Sequence, residues 1–162
     1  MYYIYIYNMF DEIERMSPFL LLLLLLYRAI KNNEWKVLIA YIVNNFSNLI
    51  LKNFIFKPMM KDKKYPIIGK GPRPDGAKNC KIFSDDSYAK SYGMPSGHAQ
   101  SISFFAVNEL YRNKSNKLLV ILLSTYLIFS RIKLGCHTTQ QVIVGTIFGV
   151  IFALLFHYFV KI

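Results

Sequence analysis

The sequence predicts an all-α membrane protein, a polytopic bundle of about five spans with a long polar loop that carries part of a functional site. Three observations lead there. Of 162 residues, 54% are hydrophobic, and mean hydropathy is positive at +0.28. The apolar residues come in blocks (17–27, 37–43, 118–129 and 142–160) rather than at the helix or strand period of soluble chains. The last block runs 19 residues without a charge, matching the roughly 18–20 that cross a bilayer. The stretch 57–94, by contrast, is rich in Lys, Gly, Pro and Asp and has no sustained apolar period. The length suits one domain, 1–162.

The elements follow in order. Residues 1–34 read as an N-terminal interfacial segment and a first hydrophobic helix. Its opening, MYYIYIYNMF, is aromatic, as membrane interfaces are. Its apolar part, about 16–30, is short for a crossing. A signal peptide starts basic and ends on small residues. Here Asp11, Glu12 and Glu14 precede the leucine run, so the segment reads as retained. Further spans are expected at 35–56, 95–111, 117–134 and 138–160. Two crossings separate 57–94 from 131–137, so both must lie on one face whatever the first segment does. The short loops 28–36 and 112–117 lie on the other face if all five segments cross. They carry Arg28, Lys31, Lys36, Arg112, Lys114 and Lys117, as cytoplasmic loops tend to.

Net charge is +11. The cations sit between apolar blocks, which points to anionic headgroups or phosphate substrates rather than nucleic acid. Cys80 and Cys136 have no metal-ligand spacing; they share a face, which leaves a disulfide open to them.

Three clusters fall on the shared face. Pro95-Ser96-Gly97-His98 opens the third span. Proline suits the first turn of a helix, and free N–H groups beside Ser96 and Gly97 make a phosphate seat. Gly97 also admits a ligand close to the backbone. The plainer alternative is a proline-capped helix with an interfacial histidine. Ser130-Arg131 closes the fourth span, and His137 lies six positions on. Arg131 offers a planar fork for phosphate oxygens. Alone it would read as a snorkelling anchor, but the second same-face histidine favours phosphate. The third cluster is Gly69-Lys70-Gly71-Pro72-Arg73-Pro74, preceded by Lys52 inside a span, where a lysine is costly and a functional candidate by default.

Other polar residues read as structural. Asn44, Asn45 and Asn48 share roughly the Lys52 helix face and serve as interhelical glue. Gly145-x3-Gly149 with Ala153 reads as a packing face, and His157 as interfacial. Asp75, Asp85 and Asp86 lie in a lysine-rich loop without histidine spacing, so they read as solvated charges; no metal site is expected.

The clusters resemble the type-2 phosphatidic-acid phosphatase superfamily, whose signature is Lys-x6-Arg-Pro, then Pro-Ser-Gly-His, then Ser-Arg-x5-His-x3-Asp. The second motif is complete at 95–98, and the third matches at Ser130, Arg131 and His137. Motifs and intervening spans cover roughly 48–149, the expected catalytic core. Two departures stand out. Six residues after Lys52 end at Pro58, where Met59-Met60 replace the Arg-Pro. An Arg-Pro appears later, at Arg73-Pro74, as though a segment had been inserted, so the guanidinium role passes to Arg73. Lys61, Lys63, Lys64 and Lys70 are weaker substitutes. Gln141 stands where the family usually has the aspartate that orients the nucleophile. A lost carboxylate weakens support for an imidazolium, yet a glutamine carbonyl still accepts from the ring N–H. His137-Thr-x-x-Gln141 is similar to the dolichyl-diphosphate phosphatase branch, and Thr138-x-x-Gln141 also fits a helix capping box. Both roles can coexist.

The resemblance implies a cofactor-free, metal-independent hydrolase acting on a polyprenyl diphosphate or similar lipid phosphate. His137 would form a phosphohistidine, oriented by Gln141, while His98 protonates the leaving oxygen. Lys52, Arg73, Ser96, Gly97 and Arg131 would hold the phosphate. The alternatives are a phosphatidate or lipid monophosphate phosphatase, and a catalytically silent lipid-binding membrane protein. Expected partners are the lipid substrate and membrane lipids, with the active face lumenal or extracytoplasmic.

Overall fold

The computed structural model describes residues 2–77, 88–89, 91–112 and 116–160. The chain opens with α1 (Tyr2–Asn32) and α2 (Trp35–Ile50), which runs through a π-helical turn (Leu51–Phe56) into the short α3 (Lys57–Met60). A two-residue antiparallel ribbon follows, β1 (Lys64–Tyr65) on β2 (Gly69–Lys70). Then come α4 (Gly97–Tyr111), α5 (Lys117–Lys133) and α6 (Thr139–Val160). The fold is mostly helical, with α4 at its centre against α1, α2, α5 and α6.

Three boundaries differ from expectation, each for a local reason. First, α1 is a single 31-residue helix, not a short apolar segment behind an interfacial one. Pro18 lies inside it and has no N–H to give the carbonyl of Glu14. That carbonyl is taken instead by the Ser17 hydroxyl, at 2.9 Å, and by Arg131 Nη1 of α5, at 3.5 Å. The Glu14 carboxylate is bonded by Lys133, at 3.2 Å, and by the Tyr126 hydroxyl. With tertiary partners for its polar groups, the helix continues where the sequence pattern ends it. Second, Pro95 is not in the first turn of α4. It precedes the helix on a cis bond after Met94, and Ser96 is the cap, its Oγ accepting from the N–H of Ala99 at 3.4 Å. Third, 57–94 is not all loop, since α3 and the ribbon occupy its start.

The expected packing face of α6 is present. A Cβ added to Gly145 would lie 2.3 Å from the Ser96 carbonyl oxygen, and one on Gly149 2.2 Å from that of Gln100. The α6 backbone therefore lies directly on α4, an approach only small residues permit. The asparagines bridge α2 and α4. Asn48 donates to Gln100 Oε1 at 2.8 Å, and Gln100 Nε2 donates to the Asn44 carbonyl at 2.9 Å.

Interior and exterior are inverted relative to a soluble bundle. Asn44, Gln100, Ser101, Asn108, Arg131 and Gln141 are buried, while Ile39, Phe46, Leu122, Phe129, Ile143 and Leu154 are exposed. Among the described helices, α6 is long and apolar enough to cross a membrane by itself, with 22 residues and a mean hydropathy of 2.3. At one end of the bundle, Arg28 and Arg112 pair with Glu34 and Glu109. His157 stacks on Tyr111 near the same end, ring centroids 4.2 Å apart. The motif residues lie at the other end.

Candidate active site

His137 sits in the turn between α5 and α6, folded back so that its N–H donates to the Arg131 carbonyl at 3.2 Å. Gly135, just before it, takes a positive φ of 64°, the left-handed geometry that closes a helix end. His137 is 3% exposed. Its Nδ1 lies 3.0 Å from Gln141 Oε1. The Gln141 amide cannot be reversed, because its Nε2 faces the carbonyls of Lys70, Gly71 and Pro72, at 3.0, 3.3 and 2.5 Å. Oε1 is therefore the acceptor and Nδ1 carries the proton, which leaves a lone pair on Nε2. Burial, then the charges of Arg73, Lys52 and Arg131, hold His137 well below the usual histidine value, against a smaller opposing effect of Gln141. The ring is neutral at neutral pH.

The same glutamine is a helix cap. Its N–H donates to Thr138 Oγ1 at 3.3 Å, and its Oε1 accepts from the Thr138 N–H at 3.3 Å, the reciprocal pair of a capping box.

Arg73 comes to His137 despite its distance in sequence from Lys52. Its Nη1 lies 3.3 Å from His137 Nε2 and donates to the Cys136 carbonyl at 2.8 Å. Ser91 fixes the rest of the fork, accepting from Nε on its carbonyl at 3.1 Å and from Nη2 on its hydroxyl at 2.9 Å. Burial lowers this guanidinium from its usual value, but arginine stays a cation in proteins. Of the Met59-Met60 departure, Met59 stands at the arginine position and is 52% exposed, while Met60, at the proline position, is buried in a small core with Phe56 and Met94.

Lys52 lies in the π-helical turn and Arg131 in the last turn of α5, both buried. The charges of Lys52, Arg73 and Arg131 act on both histidine rings, so the structure brings these five side chains into one neighbourhood. His98, in the first turn of α4, has Nε2 3.0 Å from the Arg15 carbonyl of α1. Ser96 and Gly97 are placed differently from the open phosphate seat expected. Ser96 is fully buried, and its N–H donates to the Gln141 carbonyl at 3.0 Å. A Cβ on Gly97 would lie 2.9 Å from Asn48 Oδ1, so the glycine makes room for α2.

Of the remaining candidates, Asp75 is exposed, 4.0 Å from Lys70, as a solvated charge would be. Asp85, Asp86 and Cys80 lie outside the described residues; Cys136 is disulfide-bonded. Sequence reasoning missed Ser91, Gln100 and the Arg15 carbonyl. Nothing in the sequence marks Ser91 or Arg15. Gln100 could have been found as the polar partner that the Asn44 and Asn48 face requires.

Comparison with known proteins places these residues in a wider setting. The family model described as the PAP2 superfamily matches residues 33–162, so α1 lies outside the match. A dolichyldiphosphatase of Saccharomyces cerevisiae is 36% identical over 126 residues, 69% of this chain and 49% of that protein. The chloroplastic lipid phosphate phosphatase epsilon 2 of Arabidopsis thaliana is 36% identical over 75 residues, 40% of this chain and 26% of that one. Dolichyldiphosphatase 1 of Dictyostelium discoideum is 39% identical over 74 residues, 38% of this chain and 32% of its own length. The matches thus span a quarter to a half of the length of these relatives. No solved structure matches.

Proposed function

The chain belongs to the PAP2 superfamily, and from that premise we propose that it is a multi-pass membrane phosphatase hydrolysing a polyprenyl diphosphate or similar lipid phosphate. One observation carries the reading: a buried, neutral histidine with Nδ1 bonded to Gln141 and Nε2 facing a guanidinium. In step one, the Nε2 lone pair of His137 forms a bond to phosphorus as the bond to the lipid-side oxygen breaks, and His98, entering the step as the imidazolium, gives that oxygen its Nδ1 proton. In step two, water attacks phosphorus, His98 takes the water proton, and the N–P bond breaks to return the lone pair to Nε2. Lys52, Arg73 and Arg131 meet the phosphate charge, so the scheme asks for no metal. With Nε2 of His98 on the Arg15 carbonyl, Nδ1 is the nitrogen left for proton transfer.

The exposed apolar faces and the polar interior support membrane embedding, and the continuous helix of 35–56 adds a second stretch of spanning length. In this reading five segments cross, and the active face is lumenal or extracytoplasmic. The similarity to dolichyldiphosphatases over up to 69% of the chain favours a diphosphate substrate over phosphatidate or another lipid monophosphate. Purified protein in detergent with EDTA, given a panel of lipid diphosphates and monophosphates, tests the reading. Release of phosphate from polyprenyl diphosphate by wild type, lost in His137→Ala, is the expected result. No release from any lipid, in wild type as in the variant, would mean a silent lipid-binding protein.

A further inference from the structure

The Gln141 side chain has two ends, and each faces a different part of the site. Oε1 accepts from His137 Nδ1 and from the Thr138 N–H. Nε2 shares its two hydrogens among the carbonyls of Lys70, Gly71 and Pro72, the residues that lead into Arg73. The backbone of Gln141 meets the remaining motif, accepting from the Ser96 N–H at 3.0 Å. The surroundings are shaped to this amide. A Cβ on Gly93 would lie 2.5 Å from Nε2, and the Met94 N–H donates to the Gly71 carbonyl at 2.9 Å, which closes the loop over it.

A carboxylate cannot do this. Aspartate or glutamate, when ionised, only accepts, and three carbonyl oxygens facing it would repel it. We infer that Gln141 is a positioning residue that fixes Arg73 and His137 against each other. The stretch after Met60 delivers the guanidinium, and the amide donor clamps its end, at the carbonyls of Lys70, Gly71 and Pro72, to the start of α6 beside His137. This rests on the lipid phosphatase reading, but the clamp itself is a property of the loop and can be read without turnover.

The discriminating substitution is Gln141→Glu, which has nearly the same shape. If Gln141 only supported the imidazolium, glutamate would serve as well or better. The clamp gives the opposite expectation: kcat/KM on polyprenyl diphosphate falls about 10–100-fold, the range for loss of a group that orients a catalytic one. In that background Arg73→Ala costs within about threefold of nothing, having already lost its placement, while Lys52→Ala costs its full wild-type factor. Hydrogen exchange in detergent gives the independent readout. Peptides covering 66–73 exchange faster in Gln141→Glu, and those of α5 are unchanged. Gly93→Ala pushes on the amide without adding a charge, and it raises exchange in the same peptides should the glutamate variant fail to fold. Wild-type activity absent on every lipid would sink the phosphatase reading while exchange still decided the clamp. Unchanged exchange at 66–73, or full and independent costs for Gln141→Glu and Arg73→Ala, would overturn it.

Discussion

His137 and Arg73 carry opposite risks when buried side by side, and the structure resolves them by keeping the histidine neutral. Because folding holds its pKa below the ordinary value, the unfolded chain binds this proton more readily. The stability tied to neutral His137 is therefore complete above about pH 6.5 and is lost as pH falls below it, at about 1.4 kcal/mol per pH unit. His137→Asn removes the titrating group. Its melting temperature in detergent should fall less than that of wild type between pH 7 and pH 5, and equal slopes would contradict the neutral ring. Arg73 makes a second prediction. Arg73→Ala should lower kcat/KM by roughly 10²–10³, as removal of a charge-stabilising donor does. Arg73→Lys should recover only part of this, since an ammonium cannot keep both Ser91 bonds and still face Nε2. Met59→Arg in the Arg73→Ala chain should not restore activity, because the side chain at 59 is exposed while His137 and its neighbours are buried. A rescued rate would mean that the two positions are interchangeable.

The helices show where sequence was sufficient and where it was not. The segments 35–56, 117–134 and 138–160 were legible to within a residue or two, because uninterrupted apolar blocks and local caps (Thr138 among them) need no tertiary knowledge. α1 was not legible. Its length depends on partners 100 residues away, Tyr126, Arg131 and Lys133, that satisfy polar groups around Pro18. The same holds for Pro95, since what excludes it from the first turn is the seat of Ser96 under Gly145 and Gln141. This seat supports a prediction at the scale of two elements. Gly145→Ala puts a methyl group 2.3 Å from a backbone oxygen, so α6 must move away from α4 rather than a side chain giving way. A cost of about 1–3 kcal/mol is expected for such overpacking. Activity should fall with stability, because the Ser96-to-Gln141 bond is broken. Thermal unfolding and turnover of this variant, beside Ile143→Ala on the exposed face of α6, would separate a contact effect from a general one.

At the scale of the whole molecule, the two ends of the bundle are chemically distinct. One end holds His98, His137, Lys52, Arg73 and Arg131; the other is tied by Arg28, Glu34, Glu109 and Arg112. In the proposed five-crossing reading, span parity gives the same division, because two crossings return the third motif to the face of the polar loop. It could not anticipate that the opposite loops lock to one another through buried ion pairs, since Glu109 looks like an ordinary helix-end charge until Arg28 is beside it. An apolar exterior joins the two ends, and in the proposed reading a bilayer around the middle would leave each end in a different compartment. Tyr88 lines the cavity of about 590 Å³ next to Arg73, and Lys31 lies exposed in the last turn of α1, at the ion-paired end. Cysteines introduced singly as Tyr88→Cys and Lys31→Cys should therefore respond oppositely to a membrane-impermeant maleimide. In sealed vesicles of one orientation one of them is labelled at once and the other only after permeabilisation. Labelling of both from the same side would remove the five-crossing arrangement while leaving the pairing of His137 with Gln141 intact, because that pairing depends on one turn of α6 and not on the bilayer.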